Sequence, residues 1–467
     1  MKIAVLNGSP KGEVSVTMQY VLFLQKKFPE VEFQFFDVAL KIKKFEKDRQ
    51  AFDEVIARVA DADAVLWAFP LYFLVVCSQY KRFIELIFER NAQAAFRAKP
   101  AAVLTTSIKF FDYTAHNYLH AVCDDLDMNY FGSYSAEMND LLKPAERARL
   151  EKFGELFIRA IREGTVYLKQ HKPLTAPDVV FESHNIEPLE TRGKKVLILA
   201  DDVGGDLNLT KMITRLQNTF SPPAEFVQLK DIDIKGGCLG CLQCGFDNVC
   251  VYEGKDGFID FFNRQVRGAD ILFMAGKIQD RYLSALWKCF FDRSFFNGHT
   301  PTLRDKQVGF VISGPLGQNH NLREILKAYV EIQHGGFAGF VSDDMGAAAQ
   351  INEALQTLAA RALAQSAVGY VQPPTFYQVA GTKLFRDIIW GRLRVVFQAD
   401  HRFYKKHGVY NFPQKNYKWR VINATLYGLT QIPWVKREFI KRMKTEMIKP
   451  CANVVAKTKP RESLSRQ

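Results

Sequence analysis

The chain has 467 residues, 48% of them hydrophobic, which is too long for one ordinary α/β domain and too apolar for a disordered polymer. The net charge of +13 is uneven: Val371 to Gln467 carries twenty Lys and Arg against five Asp and Glu, while the preceding residues are near neutral. The longest apolar run, Ala64 to Cys77, contains Pro70 and falls short of the ~20 residues a bilayer span requires. The start, Met1 to Asn7, has too few apolar residues for a secretion signal, so a soluble cytoplasmic protein is expected.

In chain order, apolar strands are expected at Lys2–Asn7, Val31–Asp37, Ala64–Pro70, Ala101–Ser107 and near Asn129–Ser135. Between them lie helical patterns from Ser15 and near Ala51–Ala60, Tyr80–Ala95, Ala115–Leu126 and Pro144–Glu163. Five-fold alternation of near-continuously apolar strands with helices predicts a doubly wound, five-stranded parallel sheet. A polar, Pro-containing linker, 166–193, follows. The pattern then restarts with strands at Val196–Ala200, Ala224–Leu229, Ile271–Ala275, Val308–Ser313 and Phe337–Val341. The division expected is therefore residues 1–165, the linker, a second α/β domain over 194–370, and a basic helical extension over 371–467. The extension has helical segments at Leu384–Phe397 and Trp434–Met447 and three of the five Trp, and is expected to dock by its aromatic face.

The loop Asn7-Gly8-Ser9-Pro10-Lys11-Gly12-Glu13-Val14-Ser15-Val16-Thr17 closes a strand and opens a helix. Backbone N–H groups and the positive helix end converge there, and Ser9, Lys11, Ser15 and Thr17 are the candidate residues around a phosphate ester. The loop lacks the Gly-Lys-Ser/Thr ending of a Walker motif and the Gly-x-Gly-x-x-Gly dinucleotide turn; the alternative is an ordinary turn and helix cap. Pro70-Leu71-Tyr72 ends the third strand, beside the switch point where open sheets bind ligands, and can border a flat ring.

Together with Lys81, these loops resemble the NAD(P)H-dependent FMN reductase group of flavodoxin-like proteins, over roughly residues 1–165. The resemblance implies FMN, with its phosphate on the first loop, its ring bordered by Pro70, Leu71 and Tyr72, and a third loop around Thr105-Thr106-Ser107. Thr105 and Ser107 are the candidates there. Glu85-Leu86 departs from the Asp-Arg usual at the end of that helix.

Four of the eight cysteines follow the spacing Cys238-x2-Cys241-x2-Cys244-x5-Cys250. Successive three-residue spacing favours a cubane iron–sulfur cluster over the two separated knuckles typical of zinc; zinc and free thiols are the alternatives. The spacing resembles the iron–sulfur flavoproteins, a branch of the same group, which implies a [4Fe–4S] cluster exchanging electrons with FMN, often across a subunit boundary, and a homo-oligomer. Lys288-x3-Asp292-Arg293 also matches the family helix ending. Gln279 and Lys277 stand where Tyr and Pro are expected, and the second loop, Ala200 to Asp206, carries three acids that repel phosphate. The second domain is expected to keep the cluster and to have lost or weakened its own FMN site.

The leading reading is thus an oxidoreductase passing electrons between NAD(P)H or a ferredoxin-like donor, FMN and a [4Fe–4S] cluster, with no catalytic acid or base named. A plain quinone or nitro reductase with zinc or vestigial cysteines, and a non-enzymatic redox sensor, are the alternatives. The basic tail admits a solvated helix face, an acidic partner or a peripheral membrane contact; nucleic acid is not expected, since no recognised motif accompanies the charge. His116 and His120 lie one helical turn apart, and packing suits them better than metal ligation.

Overall fold

The computed structural model describes residues 1–184 and 187–458. Residues 185–186 of the expected linker and 459–467 of the tail lie outside the described residues. The first sheet contains β1 (Lys2–Asn7), β2 (Glu32–Phe36), β3 (Ala64–Pro70), β4 (Pro100–Ser107) and β5 (Asn129–Glu137), in the order β2-β1-β3-β4-β5. The second contains β6 (Val196–Ala200), β7 (Glu225–Gln228), β8 (Ile271–Lys277), β9 (Gln307–Ser313) and β10 (Gly336–Ser342). Its order is β7-β6-β8-β9-β10, the first order repeated. All pairings are parallel, as expected for the doubly wound flavodoxin-like topology with its switch point between first and third strands.

The central strands are buried along their length, which is why they read as unbroken apolar runs: all seven residues of β3 and of β9 are buried. Helix Val16–Lys27 starts where Ser15 Oγ accepts the Met18 N–H at 3.2 Å, and ends with Lys26 and Lys27 against the negative end of its dipole. Helix Pro144–Glu163 has Pro at its first turn and ends on Gly164 at φ +60°.

Met1–Phe403 forms one compact unit, and a second begins at Tyr404. Within the first unit the two sheets share a core through helices Ser78–Glu89 and Ala285–Ser294, each reading Lys-x3-acid. Glu85 Oε1 accepts the Ala285 N–H at 2.6 Å, and Asp292 Oδ2 accepts the Ser78 N–H at 2.8 Å. Each helix therefore supplies the carboxylate that caps the other, a pseudo-two-fold exchange that favours both N-terminal ends. Lys81 and Lys288 neutralise those buried carboxylates from one turn earlier.

The extension divides at the same place as the two units. In the first unit, helix Phe376–Ile388 lays Phe385 against Phe110, ring centroids 5.1 Å apart, and Tyr377 against Phe111. Beyond Tyr404 the described residues form helices of their own, in which Trp419 and Trp434 are 57% and 66% exposed.

His334 follows helix His320–Ile332 in the left-handed region, φ +59°. Burial and then the nearby Arg304 cation pull its imidazole down to about 4 from the usual 6.5. The neutral form is therefore native, so this contribution to stability is complete above pH ~6.5 and is lost as pH falls towards 4. Asn tolerates the same backbone. Thermal midpoints of His334→Asn are expected to fall less than wild type between pH 7 and pH 5; parallel slopes would contradict this.

Candidate functional site

The first loop is built around Ser9, which is wholly inaccessible. Its N–H donates to Asn7 Oδ1 at 3.0 Å and its Oγ accepts the Lys11 N–H at 3.2 Å, while Gly12, at φ +60°, donates back to Ser9 O. The turn thus holds itself, leaving Lys11 exposed. The first N–H groups of helix Val16–Lys27 have no intrahelical partner by geometry. Ser15 Oγ takes up that of Met18, and its own O–H proton stays available to a phosphate oxygen. A Cβ at Gly8 would lie 2.6 Å from the Tyr80 ring, so only glycine lets the loop sit this close to β3 and its helix.

On β4 the phase of the strand separates three adjacent hydroxyls. Successive side chains face opposite sides of a sheet. Thr105 turns to His116, Oγ1 to Nε2 2.8 Å, whereas Thr106 turns to helix Val16–Lys27 and meets Thr17, Oγ1 to Oγ1 2.6 Å. Ser107 Oγ accepts the Lys109 N–H at 2.7 Å. Thr106 lay inside the Thr-Thr-Ser triplet, but choosing among the three needed the strand's phase. Of the two paired histidines, His116 belongs to this rim; His120 lies elsewhere, beside Asp124.

Pro70 and Leu71 close β3, Leu71 being buried and its N–H bonded to Thr106 O at 3.0 Å. Tyr72 is the meeting point. Burial pushes its phenol well up, with Cys77 and Cys238 adding to the effect and the Ser9 hydroxyl opposing it. A Cβ on Gly240, in the middle of the cysteine loop, would stand 2.4 Å from Tyr72 Oη. The structure therefore brings the cysteine loop of the second sheet onto Tyr72 of the first. Gly240 has φ +61°, so Gly240→Ala combines a left-handed backbone with this clash. It is expected to cost at least about 1–2 kcal/mol from the backbone alone, read as a lower urea midpoint; an unchanged midpoint would remove the contact.

The loop is clamped at both ends. Arg293, 1% exposed, donates to Gly236 O at 2.9 Å and to both oxygens of Asp256 at 2.8 and 3.0 Å. Its guanidinium lies over the rings of Tyr252 and Phe258, at 4.1 and 4.9 Å. Gln79 Nε2 donates to Cys238 O at 2.9 Å from the first half. The Asp292-Arg293 ending thus acts as one device: Asp292 caps the opposite helix and Arg293 pins the cysteine loop. Residues 391–403 pass over the far side, where a Cβ at Gly245 would lie 2.3 Å from Val396 O, and Arg402 donates to Phe246 O at 2.7 Å.

Burial raises the Cys238 thiol to about 12, followed by Asp292; burial also raises Cys244 to about 12, followed by Cys238, Cys250 and Cys241. Cys241 is exposed. Among the described residues, no three of these sulfurs lie within 4.8 Å of one another. Such thiols must release protons to ligate any metal.

The second loop differs. Asp206 caps helix Leu207–Gln217 by accepting the Leu209 N–H at 2.8 Å and is met by Lys277 at 3.5 Å. Asp202 accepts the Gly204 N–H at 2.8 Å and pairs with Lys230. Asp206 thus holds the helix-capping place that Ser15 holds in the first half. A cleft of about 670 Å³ opens here between the two halves, lined by Asp201, Asp202, Asp206 and Lys277 of the second and by Lys43, Arg82 and, from the first loop, Pro10 of the first.

Residues 1–140 match the family model described as NADPH-dependent FMN reductase. No curated protein matches the chain. Among solved structures it is similar to an FMN-dependent NADH-azoreductase from Bacillus anthracis in complex with FMN, at 15% identity and TM-score 0.28, over 34% of this chain and 100% of that one. It is also similar to FerB, a flavoenzyme NAD(P)H:(acceptor) oxidoreductase from Paracoccus denitrificans, at 19% identity and TM-score 0.27, over 35% and 98%. Likenesses this remote carry no functional argument.

Proposed function

We propose that this chain is an FMN-dependent oxidoreductase that moves electrons between NAD(P)H or a ferredoxin-like donor, FMN and a [4Fe–4S] cluster. The observation that supports the reading is the packing of Gly240, in the middle of the cysteine loop, against the hydroxyl of Tyr72, just beyond the end of the third strand. FMN, when bound, supplies exchange of one or two electrons. Ser9 and Lys11 shape the phosphate turn, and Ser15 and Thr17 present hydroxyls at the helix end. Pro70, Leu71 and Tyr72 border the ring, with Thr105 and Ser107 on the neighbouring rim. Cys238, Cys241, Cys244 and Cys250 ligate the cluster.

In this reading residues 1–165 are the flavin domain, 194–370 the cluster domain, and 166–193 the linker. The capped helix pair takes the place of the subunit boundary that the iron–sulfur flavoproteins use, so flavin and cluster meet inside one chain. The carboxylates of the second loop support a second domain without flavin.

Metal and flavin analysis of one anaerobic preparation tests it. About four iron per chain and one releasable FMN are expected. Zinc with flavin and no iron would replace the reading by a plain quinone or nitro reductase; zinc without flavin would point to a redox sensor.

A further inference from the structure

The unit beginning at Tyr404 consists mainly of helices Tyr417–Leu429 and Pro433–Lys457. Among its described residues Tyr404 is the one buried hydrophobic. Tyr427, Met447 and Val455 are each 72% exposed, and Trp419, Trp434 and Ile448 all exceed half exposure. On the longer helix Val435, Phe439, Met443, Met447, Cys451 and Val455 recur every four residues, a row that winds around the axis by about 40° per step. Apolar surface on this scale is covered by something in the working protein. Charge selects the cover. Residues 404–458 hold twelve Lys and Arg against two Glu. A second copy would bring the same positive charge into contact. Nucleic acid would satisfy the cations but leave Ile, Met and Val in water.

We propose that these two helices lie in the plane of an anionic lipid surface. Ile, Met, Val and Phe enter the acyl boundary, Trp and Tyr sit at headgroup level, and Lys and Arg meet lipid phosphates and carboxylates. No helix among the described residues is long and apolar enough to cross a membrane, which matches an in-plane arrangement. The proposal is independent of the redox reading.

The test is co-sedimentation of the full chain with vesicles of neutral phosphatidylcholine, alone or with about a third phosphatidylserine. Binding is expected to the anionic vesicles only, weakening with salt. The triple variant Trp419→Ser/Trp434→Ser/Met447→Ser should lose at least about tenfold in affinity, and Lys436→Gln/Arg437→Gln/Lys441→Gln a comparable amount. Flavin content of the variants reports that the body is intact. Absence of binding by wild type, or binding indifferent to both triple variants, overturns the proposal. So does a concentration-dependent dimer abolished by the apolar variant.

A separate observation carries a second site. His120 and Asp124 lie four apart on helix Asp112–Asp125, and the chain after Gly164 returns to place His171 beside them. Asp124 Oδ2 lies 3.6 Å from His120 Nε2 and 2.9 Å from His171 Nδ1. The carboxylate is buried and steadied by the N–H groups of Gln170 and His171, and the His120 ring is stacked 3.9 Å from Tyr130. Nitrogen and oxygen ligands at ~2.0–2.1 Å around a tetrahedral ion stand about 3.3–3.4 Å apart, between the two observed separations. The geometry points to a divalent cation site of zinc type, with solvent completing the coordination and the metal fastening the linker to the first sheet.

Zinc alone, added to chelator-treated full chain, tests this. His120→Ala and His171→Ala should each bind one zinc fewer per chain than wild type and lose the zinc-dependent rise in thermal midpoint. A Cys238→Ser/Cys241→Ser variant should keep that rise. Equal zinc in wild type and both histidine variants, or a rise lost only with the cysteines, overturns the site.

Discussion

Lys81→Met is expected to destabilise the protein by about 3–5 kcal/mol, the usual cost of stranding a buried charge. The Lys81 side chain is wholly inaccessible, 2.9 Å from Glu85 and bonded to Asp280, which reaches it from the second half. Burial alone would pull the ammonium down, but Asp280 and Glu85 outweigh it and hold the group above its ordinary range. Asp280 Oδ2 already has no partner among the described residues, and burial pushes this carboxyl well up. Methionine keeps most of the volume, so the loss is chiefly electrostatic. Without Lys81 the two carboxylates face each other unbalanced, and the affinity of Asp280 for a proton rises further. An acid with a raised folded pKa contributes stability below its unfolded pKa and loses it as pH rises through the folded value. The deficit should therefore be greatest at neutral pH and shrink on acidification. Urea unfolding at pH 7 and pH 5 reads this, and adding Asp280→Asn should recover part of it. A deficit under about 1 kcal/mol at pH 7 would show that Lys81 is not what balances the interface.

On the proposed reading, Cys244→Ser removes the iron, from about four per chain to less than one, while FMN content stays near wild type. Cys244 packs among apolar residues with its sulfur 3.9 Å from Phe295 O. Its thiol is neutral until a metal displaces the proton, and a serine hydroxyl cannot replace that thiolate. The phosphate turn is held by Asn7, Ser9 and Gly12 on the other sheet and needs nothing from residue 244. Because ligation releases protons, cluster retention should also weaken as pH falls. Iron and flavin assays before and after gel filtration measure both. Concerted loss of FMN and iron would contradict the placement of the two groups in different halves.

Much of this was legible beforehand where the signal is local. The doubled strand–helix alternation is a short-range hydrophobic pattern, and both sheets follow it with the same strand order. The phosphate turn spans eleven residues from Asn7 to Thr17, and the four cysteines fall within thirteen. Such motifs are readable because the backbone that shapes them is contiguous. The helix over Tyr80–Ala95 proved shorter, ending at Glu89 before a separate turn at Gln93–Ala95, because Asn91 adopts positive φ.

The amino-acid order by itself therefore determined the two α/β halves, the first loop and the cysteine spacing, through periodicity and turn chemistry acting over a few residues. Tertiary structure alone decided that Gly240 rests on Tyr72, that Asp280 answers Lys81 and that Arg293 pins the cysteine loop. It also decided which of three adjacent hydroxyls, Thr105, Thr106 or Ser107, faces Thr17. The reason is physical: these pairings join positions tens to hundreds of residues apart, brought together by burial of a shared core and by the pleat's phase, neither of which leaves a local trace.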